Sequence, residues 1–242
     1  PSSAASDVYK RQVLRHTAIF ARVIPWSDVI ALGNLSPPAI ALLVAMLFRL
    51  RSGNVVFSII LAVALAMAGT WQSYRWAFDQ KPSTSDRWKG DVCMQTTGAT
   101  CSPAAAATLL RMYGIDTTEA EMADLCLTTI DGTTHLGLYR GLCLKTRGTP
   151  WKVEIFDGDV EQVYHAAPAI LSVGIGRWQS VDPRYLDDWS WARGVPHTVV
   201  IRGVAPDGYR LYIADPGVGP EQWSKENMAT LWKGPGFRLV QR

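Results

Sequence analysis

Residues 95–114 read QTTGATCSPAAAATLLRMYG: a polar, Gly-containing entry, a cysteine at position 101, then a run built to be helical. Ala104 to Ala107 are strong helix formers, and Leu109, Leu110 and Met112 offer apolar side chains to a core. Pro103 suits a first turn, where its missing N–H is not needed, and Gly114 suits the stop. Cys101 therefore falls at or just before a helix N-terminus. Unpaired N–H groups and the helix dipole favour negative charge there. A thiol so placed ionises more readily, and the thiolate is the nucleophilic form. The competing reading is a small buried residue under the helix, since free cysteines are among the most buried side chains.

Downstream of Gly114, Thr118 with Glu121 three residues on forms a capping box. The helix it opens presents Met122, Leu125 and Cys126 on one face. The loop at Asp131–Thr134 leads to a third helix, Leu136 to Arg147, stopped by Gly148. Trp151 to Phe156 alternates as a strand, and the continuous apolar run Ala169 to Ile175 reads as a central strand. A polar, Trp-rich insertion spans 176–194 with Trp178, Trp189 and Trp191. His197 to Val204 and Tyr209 to Ala214 are strands joined by the hairpin signal Ala205-Pro206-Asp207-Gly208. A short helix at Ser224–Trp232 and a strand at Phe237–Val240 complete the pattern. Helices first and antiparallel strands after argue for an α+β fold, a helical layer packed on an antiparallel sheet.

Upstream lie two apolar segments, Pro38–Leu50, extending back towards Ile24, and Val55–Trp71, which carries no charge. Seventeen residues of helix span about 25 Å, against a hydrocarbon core of about 30 Å. They are read as a transmembrane helical hairpin over 24–73, with Trp26, Trp71 and Trp76 as an interfacial belt. Arg15, Arg22 and Arg75, with Lys81, Arg87 and Lys89, outnumber Arg49 and Arg51 in the turn. The positive-inside rule then leans to a cytoplasmic C-terminal domain of an integral protein of a bacterial cell membrane. Residues 74–87 read as a polar linker, and 88–242 as the single globular domain. The chain begins with Pro1 and is read as a fragment. Its N-terminal tail, 1–23, opens with twelve residues like a translated library adapter, which are left out of the fold reasoning.

The chain has 242 residues, 48% of them hydrophobic, and a formal net charge of +3, ample for a core. That charge, with no basic stripe or base-stacking motif, argues against nucleic acid as a partner. The four cysteines, 93, 101, 126 and 143, include no CxxC pair, which argues against a zinc knuckle. Their even number permits disulfides without demanding them. No cofactor is expected. No GxxxxGK[ST] loop occurs, so ATP is not expected either.

A cysteine hydrolase needs a thiolate, an imidazole, a group to orient it and donors for the oxyanion. Of the four histidines, His16 lies outside the globular domain, His135 sits beside a helix start and His165 in a polar approach to a strand. His197 opens an apolar strand, where a titratable side chain needs a reason. Asp215 ends the partner strand of the same hairpin, and the start of one antiparallel strand lies beside the end of the next. His197 as a core histidine and Asp215 as an ordinary turn residue before Pro-Gly are the plainer alternatives.

A Gln separated by five residues from a helix-opening Cys, a His opening a strand, and a strand ending in Ala214-Asp215-Pro216 with Gly217 after it resemble the double-glycine leader peptidases. These bacteriocin-processing enzymes are a branch of the papain-like cysteine peptidases. The likeness covers about Cys93 to Leu239. It extends to LLRMYGI, to Gly132-Thr133 before Leu136-Gly137-Leu138, and to Trp232-Lys233-Gly234. The resemblance implies a papain-like fold with Cys101 as nucleophile, His197 as general base and acid, and Asp215 as orienting group. Gln95 would donate its amide to the oxyanion with the Cys101 backbone N–H. Thr100 and Ser102 depart from the Asp and Gly that usually flank the family's Cys.

The expected function is that of a membrane-anchored thiol protease cleaving peptides or protein leaders without ATP, its partners being substrate, membrane lipid and a secretion or transporter system. The alternatives are a non-catalytic peptide-binding domain of the same fold serving a secretion system, and acyl transfer on the same triad.

Overall fold

A computed structural model describes residues 36–52, 54–78, 80–188 and 191–242. The adapter-like segment, the tail over 1–23, His16, Arg15, Arg22, Trp26, the start of the expected hairpin and Trp189 lie outside the described residues. The two apolar segments form helices α1 (Ser36–Ser52) and α2 (Val55–Phe78). Asn54 caps α2 by accepting the Phe57 N–H at 3.1 Å. Small side chains, Ala41, Ala45 and Ser58, are buried, and the Phe48 and Phe57 rings meet at 5.1 Å.

The hairpin is helical as expected, but its transmembrane reading is not supported. Among the described residues, no helix is long and apolar enough to cross a membrane. Helix α1 has 17 residues with Arg49 and Arg51 in its last turn, a length of about 25 Å against the roughly 30 Å required.

Residues 80–87, read as linker, are held against the globular part. The Gln80 carbonyl accepts from Ile130 N–H, Lys81 pairs with Asp124 at 2.6 Å, and the Ser85 N–H donates to Thr96 Oγ1 and Glu119. The segment then runs into a small hairpin, β1 (Arg87–Lys89) with β2 (Val92–Met94), that the sequence reading did not distinguish.

Helix α3 (Cys101–Met112) begins at the cysteine. Helix α4 (Glu119–Leu125) is capped by Thr118, which accepts the Glu121 N–H at 3.0 Å. The capping box is only half made, because the Glu121 carboxylate turns to Lys145 and Thr117. Helix α5 (His135–Lys145) packs close to the end of α4. A Cβ on Gly141 would stand 2.3 Å from Cys126 Sγ, so this crossing requires glycine.

A six-stranded antiparallel sheet follows, in the order β3-β8-β4-β5-β6-β7. Its strands are β3 (Trp151–Phe156), β4 (Ala169–Gly174), β5 (Pro196–Val204), β6 (Leu211–Asp215), β7 (Gly219–Trp223) and β8 (Trp232–Gln241). One face packs on α3, α4 and α5 through Ile170, Val200, Ala214, Phe237 and the fully buried Ala104–Ala107 run. The other is covered by the short helices α6 (Val160–Ala166), α7 (Arg184–Asp187) and α8 (Lys225–Leu231), through Val163, Tyr185 and Met228. Strand β4 is therefore buried along its whole length, which is why it reads as a continuous apolar run. The result is the α+β, papain-like arrangement of helices on an antiparallel sheet.

Candidate active site

The loop 95–100 delivers Cys101 to the start of α3. Thr100, fully buried, does not cap the helix with its side chain. Its Oγ1 instead accepts the N–H groups of Thr96 and Thr97 at 3.1 and 3.0 Å. The positive end of α3 is thus left without a side-chain acceptor beside the thiol. Glu119, also fully buried, reaches across from α4. Its carboxylate accepts from Thr96 N–H at 2.7 Å, from Thr96 Oγ1 at 2.5 Å and from Ser85 N–H at 3.2 Å. The Gln95 N–H donates to the Pro216 carbonyl at 2.9 Å, which ties the loop to the turn after β6.

Strand register supplies the other half. Val200 pairs with Ala214. One step further along the ladder, Asp215 falls opposite Val199, two residues from His197 and on the same face. Asp215 Oδ1 meets His197 Nε2 at 2.8 Å and accepts the Gly217 N–H at 2.7 Å. With Nε2 so engaged, Nδ1 is the nitrogen left for the Cys101 thiol, to which His197 is hydrogen-bonded. The Trp191 ring stands edge-on to the imidazole at 5.5 Å.

Electrostatics separate Cys101 from the other thiols. Burial works to raise it, but the hydrogen bond and positive charge of His197, helped by Thr198 and Ser102, bring it below the ordinary thiol value. Burial works to lower His197, but its bonds to Asp215 and Cys101 and their negative charges raise it to about 10. Both shifts favour a thiolate–imidazolium pair. Cys93 and Cys126 are each pushed up to about 12, chiefly by burial, and burial also raises Cys143. All four cysteines are free.

Gln95, His197 and Asp215 line a cleft of about 680 Å³, together with Trp191, Glu221 and Trp223. Gln95 Oε1 is buried without a hydrogen-bond partner among the described residues. Trp223 Nε1 holds Glu221 at 3.0 Å. The structure thus gathers Gln95, Cys101, His197 and Asp215 around one point. His135 and His165 lie elsewhere. His135 is bonded to Ser172 at 2.9 Å in the core, where burial lowers its pKa, and His165 is exposed on α6. Of the insertion's tryptophans, Trp178 is 77% exposed and takes no part. Among the described residues, no group of three or more His, Cys, Asp or Glu is placed to hold a metal ion.

Sequence reading missed three contributors: Glu119, the Gly217 N–H, and a hydroxyl pair between Ser102 and Thr198. Glu119 looked like an ordinary first-turn acid. Only the preceding Thr118 cap, which fixes where α4 begins, hinted at its placement.

The model of the Peptidase_C39 like family matches residues 91–238, more than half of the chain and all of the site just described. The chain belongs to that family. The peptidase domain of Streptococcus ComA, a bi-functional ABC transporter involved in a quorum-sensing pathway, is 22% identical, with a TM-score of 0.48 over 62% of this chain and 98% of that one. A double-glycine-motif protease from an AMS/PCAT transporter, in complex with its leader peptide, is 19% identical, with a TM-score of 0.49 over 66% and 98%. An uncharacterised protein of Methanothermobacter thermautotrophicus is 49% identical over 47 residues, 19% of this chain and 33% of that protein. Another from Methanothermobacter marburgensis is 43% identical over 61 residues, 25% and 41% respectively. The matches span less than half the length of these curated relatives.

Proposed function

We propose that this C39-like domain is an active cysteine peptidase that cleaves peptide or protein substrates, leader peptides among them. The supporting observation is the line Cys101–His197–Asp215, in which the thiol is lowered and the imidazole raised. In this reading the Cys101 thiolate attacks the scissile carbonyl carbon. The oxyanion is met by the Cys101 backbone N–H and the Gln95 side-chain amide. His197 gives its proton to the leaving amine as the C–N bond breaks, leaving a thioester on Cys101. His197 then takes a proton from water, which attacks the thioester and releases the acid, restoring thiolate and imidazolium. Asp215 keeps Nε2 bonded so that Nδ1 faces the sulfur throughout.

Anchoring at a membrane, with a secretion or transporter partner, belongs to the same proposal. Exposed apolar side chains on α1 and α2 support the anchoring, among them Leu43 at 62%, Leu50 at 84% and Val56 at 68%. Water-exposed apolar area of that kind is stabilised by contact with lipid.

The test is cleavage of a peptide library by the full chain at neutral pH. Cys101→Ala and prior alkylation of Cys101 are each expected to abolish it. Undiminished cleavage by Cys101→Ala would remove the assignment. Absence of both cleavage and labelling of Cys101 by a thiol-directed activity probe would favour the peptide-binding alternative.

A further inference from the structure

We infer that Ser102 and Thr198 form a buried clasp that sets the Cys101–His197 geometry and donates a hydrogen bond to the thiolate. Both are therefore positioning residues of the site, and the inference rests on the peptidase reading above.

The two hydroxyls lie 2.8 Å apart and are buried, at 6% and 7% exposure. Each is the immediate chain neighbour of a member of the ion pair: Ser102 follows Cys101 in α3, and Thr198 follows His197 in β5. One hydrogen bond therefore joins the helix to the strand one residue from both sulfur and imidazole. It stands beside the Cys101–His197 contact, which joins the same two elements. Both hydroxyls, next to the Cys101–His197 pair, also favour the ionised form of the thiol by hydrogen bonding.

A hydroxyl has one proton and two lone pairs. In the Ser102–Thr198 bond one hydroxyl donates to the other, and the acceptor's own proton is free to point at the sulfur. The neighbouring hydroxyl does not compete: Ser172, opposite Thr198 in the ladder, is bonded to His135 at 2.9 Å. A matched pair of hydroxyls so close to an anion has a purpose if the anion is formed. A hydrogen bond to a charged group contributes about 1.5–3 kcal/mol, which corresponds to a shift of about one to two pKa units.

The experiment is the rate of Cys101 alkylation by iodoacetamide against pH, read by mass spectrometry in the full chain, with thermal stability measured in parallel. Thr198→Val and Ser102→Ala should each move the acid limb upward by about one pH unit, because the hydroxyl left behind loses the partner that aims its proton at the sulfur, and Thr198→Ser should leave it in place. The double variant Ser102→Ala/Thr198→Val leaves no buried hydroxyl unpaired. It should recover stability relative to the single variants while keeping the shifted limb, a combination that a purely structural role does not give. An unmoved limb in folded Thr198→Val, or a Thr198→Ser limb shifted as far as that of Thr198→Val, overturns the inference. If the unsubstituted protein already titrates as an ordinary thiol near pH 9, the peptidase reading fails first and the clasp with it.

Discussion

At the scale of single residues, function depends on a proton kept on His197 while Cys101 is without one. The pair is competent above the lowered pKa of Cys101 and below the raised pKa of His197. Cleavage should therefore already be rising with pH below the ordinary thiol range and should fall only as pH approaches about 10. A pH profile of kcat/KM checks both limbs. A neutral Cys–His pair would instead give an acid limb near the ordinary histidine value. Gln95→Ala should lower kcat by about 10²–10³ with little change in KM, because its amide meets charge that exists only in the transition state. Steady-state kinetics separate the two parameters. Ser102 and Thr100, which flank Cys101, each have a definite bond: Ser102 to Thr198, Thr100 to the loop N–H groups.

At the scale of elements, the nucleophile's loop is organised less by its own sequence than by one carboxylate from the next helix. Glu119 satisfies donors from Thr96 and Ser85 without exposure to water. Glu119→Ala should cost about 1–3 kcal/mol or more in urea unfolding, since it leaves buried donors unpaired. It should also reduce cleavage by loosening the loop that carries Cys101. Much of the element pattern was legible in the sequence because it rests on short-range chemistry. The α3 helix, the Thr118 cap, the alternation of β3 and the hairpin joining β5 to β6 all follow from residues within a few positions of each other. The meeting of His197 with Asp215 was legible for a related reason, because a hairpin brings the two together, whereas Cys101 was marked by its place at a helix start and Gln95 only by the family resemblance. What could not be read depends on long-range placement. Helices α6 and α7 have seven and four residues, too short for an apolar period to show. Strand β7, GPEQW, has no apolar alternation and looks like loop. The β8 strand is longer than its apolar core suggests, because Gly234, Pro235 and Gly236 continue it beside β4.

At the scale of the whole molecule, the apolar hairpin and the C39-like domain are joined by a segment that is partly built into the domain. The polar composition of 80–87 signalled a linker, but its backbone groups find partners on Ile130, Thr96 and Glu119. A polar sequence does not by itself tell solvent from a polar neighbour. The hairpin's exposed apolar surface makes its own prediction. The full chain should sediment with phospholipid vesicles. Replacing Leu43, Leu47 and Leu50 by serine should lower the bound fraction by about tenfold or more, given what burying each leucine contributes. Equal sedimentation of the two proteins would count against anchoring through this hairpin.

The place of β8 in the sheet has a consequence for how the molecule is made. The strand lies between β3 and β4, both of which precede it by more than fifty residues, and it pairs with each. While a ribosome is still producing the chain, β3 therefore has no sheet partner and one flank of β4 stays open. The helices can gather early, but the central wall is completed only when Trp232–Gln241 has emerged. An unfinished chain presents adhesive strand flanks to its neighbours, and the last ten residues of the sheet are the ones that silence them.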